Sequence, residues 1–231
     1  GMLRESITLG VQRAGRAMQH HRTWAEVLGR AEAQDPVLRA RWGHHLAEAG
    51  AFAEAIPHLL AGANALGDRG SFVAADGVLA AWRRAMRGLG VGPEDPRWGA
   101  GLVVEARHAS QRGFHERAER AVQRALGIAG DDAAFAAALL AAAQVAERRG
   151  QRRDADQRFR AAHTRFVGLG DELGAGRACI GLGTLSVYFG RLDEAVAWHR
   201  EAMRRLERTE ADLELARAER QLGNALLHEK A

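Results

Sequence analysis

Lysine is all but missing from this chain. Lys230 is the only one in 231 residues and every other base is arginine; Lys plus Arg number 33 against 29 Asp plus Glu, a net charge of +4. The basic cluster Arg148, Arg149, Arg152 and Arg153 is flanked by acids and alanines, with no aromatic side chains between its members. Such a balance builds no platform for stacking bases, so nucleic acid is not an expected partner. The arginine bias reads as genome composition, and most arginines as solvated helix faces. Cysteine is limited to Cys179, which excludes an internal disulfide and a cysteine-built zinc site. Its apolar surroundings suit a small buried hydrophobe. Proline stops at Pro96, so that helix can follow helix beyond it with glycine as the only breaker. Aromatic residues are 6% of the chain and β-branched ones are scarce, which disfavours sheet. No apolar run reaches the roughly 18 residues of a membrane-spanning helix. The opening Gly-Met-Leu-Arg-Glu-Ser is too polar for a secretory leader. The expected location is the cytoplasm, away from membrane.

Signature motifs of catalysis are also missing. There is no Gly-x-Ser-x-Gly elbow, Walker loop or dinucleotide fingerprint; Gly181-Leu182-Gly183 has no strand before it. Neighbours on a helix point about 100° apart, so the pairs His20-His21 and His44-His45 are each poor chelators. No catalytic residue, cofactor or metal is expected.

What the chain does have is alanine and leucine in helical periodicity, with well-marked boundaries. Asp35-Pro36 and Asp95-Pro96 each put a capping carboxylate before proline at the first helical position. Thr23 with Glu26 has the form of a capping box, and Ser71, Asp131 and Asp171 are further caps. Glycines at 50, 70, 113, 150 and 190 sit between periodic segments, as turns require. These signals predict helices near 3–20, 24–33, 36–48, 52–66, 71–88, 97–111, 115–127, 132–148, 152–167, 172–188, 192–207 and 210–228, with 89–96 as an irregular linker. In 192–207, Ala195, Trp198, His199, Ala202 and Leu206 share one face. Segment 176–189 is apolar almost all round and should be sandwiched.

One pattern recurs at forty residues. Leu182-Gly183, Gly190, Ala195 and Ala202 stand at the offsets of Ala143, Gly150, Ala155 and Ala162, and Leu222-Gly223 repeats the opening once more. Small side chains are needed where two antiparallel helices cross closely, and a hairpin that cannot bury both faces stacks on the next. The expected fold is therefore all-α, an α-α solenoid of about eleven to twelve antiparallel helices.

These residues resemble the tetratricopeptide repeat, in which a small residue in the first helix, a turn glycine and two alanines in the second helix recur. Leu182-Gly183, Gly190, Leu192, Asp193-Glu194-Ala195 and Ala202 carry the resemblance; Trp42-Gly43, Gly50, Phe52 and Glu54-Ala55 open it. The period exceeds the family's 34 residues and the proline closing each repeat is missing, as in long-repeat arrays of bacterial multidomain signalling ATPases and kinases. The resemblance implies an N-terminal helical cap at 1–34 and an array over 35–231, with copies near 36–66, 53–88, 97–127, 136–169 and 176–209 and a half-repeat at 210–228. It further implies a right-handed α-α superhelix with a concave groove lined by first helices. The groove positions include Arg107, Ser110, Gln111, Gln144, Glu147, Arg148, Arg177, Thr184, Tyr188, Arg217, Arg220 and Asn224.

The expected function is a non-catalytic interaction scaffold, the regulatory module of a signalling protein. It would hold a peptide or partner protein in that groove, or self-associate as a homodimer. The alternative is a regulatory domain that senses a small ligand or peptide, with nucleic-acid binding a less favoured third.

Overall fold

The computed structural model describes residues 2–30 and 35–229, with side chains placed for 15–30, 35 and 37–227. Among these residues the regular structure is entirely helical. Two compact units divide between Val104 and Glu105. The first holds α1 (Met2–Arg30), α2 (Pro36–Glu48), α3 (Phe52–Asp68), α4 (Phe72–Gly88), a 3-10 turn (Pro96–Trp98) and the start of α5 (Gly99–Gln111). The second holds the rest of α5 with α6 (His115–Gly127), α7 (Asp132–Arg148), α8 (Arg152–Leu169), α9 (Glu172–Tyr188), α10 (Leu192–Leu206) and α11 (Asp212–Glu229).

Most boundary signals act as their chemistry dictates. Asp35 Oδ1 accepts from the amides of Val37 at 2.8 Å and Leu38 at 3.2 Å, Asp131 from Ala134 at 2.7 Å, and Asp171 from Gly174 at 2.8 Å. Asp95 caps the 3-10 turn instead of an α-helix. Gly150 and Gly190 have φ of 74° and 71°, the left-handed turn that an L side chain resists, and the turns at 50, 70 and 113 repeat it. Two expectations fail. Ser71 precedes α4 without any side-chain cap bond. The two helices expected before residue 34 are one through Arg30, because Thr23 folds its hydroxyl back onto the Gln19 carbonyl (3.1 Å) and leaves no end to cap. Residues 31–34, which the expectation gave to the second of them and to the cap, lie outside the described residues.

In the first unit each helix from α1 to α4 packs on the next, and α2 also touches α4. Small residues permit the close crossings. A Cβ at Gly62 would lie 2.6 Å from Ala40 Cβ and 2.8 Å from its Cα, and one at Gly43 would lie 2.9 Å from the Leu59 backbone nitrogen. Leu59, Leu79, Trp82 and Met86 are wholly buried. The 89–96 stretch is irregular, as expected, but it is pinned. Trp98 packs edge-on to Trp82 and its indole N–H donates to the Gly92 carbonyl at 2.8 Å.

The second unit stacks hairpins. Each helix from α6 to α11 packs on its successor, while α7 touches α9 and α9 touches α11. That skipping contact between alternate helices marks stacked pairs. Helix α9, expected to be enclosed, is buried from Gly174 to Ser186 at all but two positions. Ala143, Ala155 and Ala162 share one core cluster with Phe159, Ala178 and Leu182. In the next copy Ala195 and Ala202 are wholly buried. Ion pairs tie helix to helix: Arg160 of α8 reaches Glu194 of α10 in the next copy at 2.7 Å. Arg165 to Asp132 and Arg205 to Glu172, both at 2.8 Å, close the α7–α8 and α9–α10 pairs. Many arginines expected on solvated faces thus bridge helices.

Candidate functional site

The C-terminal ends of α5, α7 and α9, together with Arg217 of α11, converge on a polar cavity of 550 Å³ in the second unit. The resemblance placed first-helix residues on one wall, and four of its ten main candidates line this cavity: Gln111, Arg148, Tyr188 and Arg217. Ser110 and Glu147, also among its groove positions, join them. The other six candidates stand elsewhere. Arg177 donates from Nε to Glu214 Oε1 at 2.9 Å and from Nη2 to the same oxygen, so a carboxylate of α11 already occupies it. Thr184 donates to the Ile180 carbonyl at 2.9 Å. Arg107 and Gln144 are half-buried on α5 and α7, and Arg220 and Asn224 are exposed on α11.

The second helices contribute as well. His115 and Arg152 line the cavity two residues after the turn glycines Gly113 and Gly150. Attention to first helices alone missed them, although the shared offset from the turn was a usable signal.

Most arginines of this unit are paired, and those of the cavity are among the exceptions. Arg149, Arg158, Arg160, Arg165, Arg177, Arg191, Arg205 and Arg208 each reach a carboxylate. Arg148, Arg152 and Arg217 pair with no carboxylate among the described residues. Arg152 instead lies 4.6 Å over the ring of Tyr188, whose 60% exposure leaves the other ring face open. Glu147 is the acidic member of the wall. Burial pushes its carboxyl above the usual range, while Arg217 and Arg148 pull it back.

Three buried polar atoms on the wall have no hydrogen-bond partner: Ser110 Oγ, Gln111 Oε1 and His115 Nδ1. Ser110 is only 4% exposed. A buried group left unsatisfied is costly, and a polar ligand that reaches it removes that cost. Cationic donors in excess, joined by a hydroxyl and an imidazole, suit an anion such as a carboxylate, which guanidinium groups bind through two parallel N–H bonds.

Two other reactive residues are enclosed. Cys179 is wholly buried, and burial raises its thiol to about 12. His199 is 1% exposed, and burial lowers its imidazole to about 4. Among the described residues no three His, Cys, Asp or Glu side chains are grouped to hold a metal ion, and no helix is long and apolar enough to cross a membrane.

No family model matches the sequence, and no curated protein matches it. Its fold is similar to the crystal structure of BtubC (BKLC) from P. vanneervenii, with a TM-score of 0.58 and 17% identity over 92% of this chain and 82% of that one. At that identity the likeness speaks for the helical fold alone.

Proposed function

We propose that this chain is a non-catalytic docking module of the tetratricopeptide kind, whose second unit receives an acidic segment of a partner protein at the cavity between α5, α7, α9 and α11. The carrying observation is the contrast in arginine pairing. Arg148, Arg152 and Arg217 form no ion pair, with Glu147 the one carboxylate on their wall, in a unit where most other arginines are paired. A partner side-chain or terminal carboxylate supplies the missing acceptor, and the exposed face of Tyr188 packs on its aliphatic part. The regulatory role in a larger bacterial signalling protein rests on the long-repeat resemblance.

The test is fluorescence anisotropy with labelled peptides rich in Asp and Glu, against the same peptides carrying Asn and Gln. One charge-assisted hydrogen bond is worth about 1.5–3 kcal/mol, so Arg217→Glu should weaken binding by roughly tenfold to a hundredfold. Arg148→Glu should do the same, while Arg204→Glu, remote on α10, should not. Equal binding of acidic and amidated peptides sinks the proposal. A second reading, capture of a small free anion, is favoured by the buried Ser110 hydroxyl, which a side chain draped over the rim reaches less readily. Native mass spectrometry of the purified chain separates the two.

A further inference from the structure

The two histidine pairs that are poor chelators within a helix meet across helices in the first unit. His21 Nδ1 and His45 Nδ1 are 2.9 Å apart. One ring must donate a proton there and the other must accept it with a bare nitrogen. His44 and His20 crowd the same spot, with ring centroids 5.8 Å from that of His21 in each case, and Trp24 stacks on His45 at 6.1 Å.

The charge around this contact is one-sided. The groups acting on His45 are His20 and His21 from α1, and Arg41 and His44 from its own helix. Other described charges lie near the α1–α2 seam without acting on His45. Glu48 pairs with Arg84 of α4 at 3.8 Å. Glu54 of α3 lines a cavity beside the contact with Arg22 and Glu26 of α1. His58 of α3 lies against Trp42 at 3.9 Å. Among the described residues no carboxylate acts on His45.

The contact accepts one proton and rejects two. A first proton on the outer nitrogen of the donor ring leaves the Nδ1–H···Nδ1 bond intact. A second must occupy the accepting nitrogen, which breaks the bond and sets two cations face to face. Over its described side chains, 15–30, α1 buries little apolar surface. Ala25 is its buried apolar residue among the described side chains, whereas Met18, Trp24 and Val27 are about half exposed.

We propose that the His20, His21, His44 and His45 patch is a pH-sensitive latch that holds α1 on α2 near neutral pH and releases it in mild acid. Release bares the Trp24 and Ala25 side of α1 and the α2 surface beneath it. The sign follows from the environment. Burial and cationic neighbours lower His45 below its usual range. The docked state therefore binds fewer protons than the released one below about pH 6.5, and docking weakens as pH falls through that region.

The experiment is hydrogen exchange of the full chain at about pH 7.5 and about pH 5.5, corrected for intrinsic rates, with a chelator present. Protection over 15–30 should fall roughly tenfold or more at the lower pH, with α7 and α9 unchanged. His45→Gln keeps an acceptor that takes no proton, and should hold α1 protected at both values. Equal protection of the native chain at both values, or the same loss in His45→Gln, overturns the latch. Should His45→Gln detach α1 already at neutral pH, NMR titration of the native imidazoles decides. A coupled pair gives two separate steps, whereas a single step common to both rings refutes the proposal.

Discussion

Gly183 and Gly223 occupy the same place in the repeat, each after a leucine and forty residues apart, yet alanine at the two positions should act in opposite directions. A Cβ at Gly183 would lie 2.4 Å from His199 Cε1 and 2.7 Å from both ring nitrogens, whereas at Gly223 nothing is within 4 Å. Ordinary carbon contacts are near 3.5–4.0 Å, so the ring must shift by about an ångström. His199 is 1% exposed and has no open side to move into. Overpacking of this kind costs about 1–3 kcal/mol, offset by at most about 1 kcal/mol of helix propensity gained when glycine leaves a helix interior. Gly183→Ala should therefore lose about 1–2 kcal/mol, while Gly223→Ala gains about 0.5–1. Urea unfolding at neutral pH, followed by circular dichroism and by exchange of α9 amides, measures both. Trimming the ring in His199→Ala should make the alanine at 183 nearly harmless, a coupling of about 1 kcal/mol or more. If both single variants move stability the same way, or the coupling is nil, the crossing assigned to Gly183 and His199 is wrong.

Other expectations follow the same geometry. Gly62→Ala should be among the most damaging substitutions in the first unit, at about 2–3 kcal/mol, because the added carbon meets the Ala40 backbone and not a flexible tip; thermal melts against Gly77→Ala, which meets nothing within 4 Å, check it. His199 titrates near 4 folded and about 6.5 unfolded, so its stabilisation is complete above 6.5 and is lost as pH falls towards 4. The full loss is about 3 kcal/mol, read by exchange in α10, and His199→Asn should flatten it. Cys179, buried and raised to about 12, should react with thiol reagents only at the rate of global unfolding, in parallel with α9 exchange.

Much of the fold was legible because its determinants are local. Aspartate caps, turn glycines and apolar periodicity each act within a few residues, and nearly every helix lies where they predict. Thr23 was misread for the same reason. A capping residue and an i−4 back-bonding residue look alike until it is known whether the helix before it continues. The cavity was half legible. Gln111, Arg148, Tyr188 and Arg217 follow from a one-helix register, but the same register also admits Arg177, which Glu214 occupies from α11, 37 residues away.

The sequence by itself determined an all-helical chain of paired helices with a forty-residue period, because helix propensity, capping and small-residue spacing are properties of short segments. Only the tertiary structure decided which arginines are paired, which of two identical Leu-Gly steps is crowded, and that two unrelated histidine pairs share one contact. Those outcomes depend on distances between residues far apart in the chain. At separations of a few ångströms, a single carboxylate or ring position decides whether a charge is satisfied or left open to a partner.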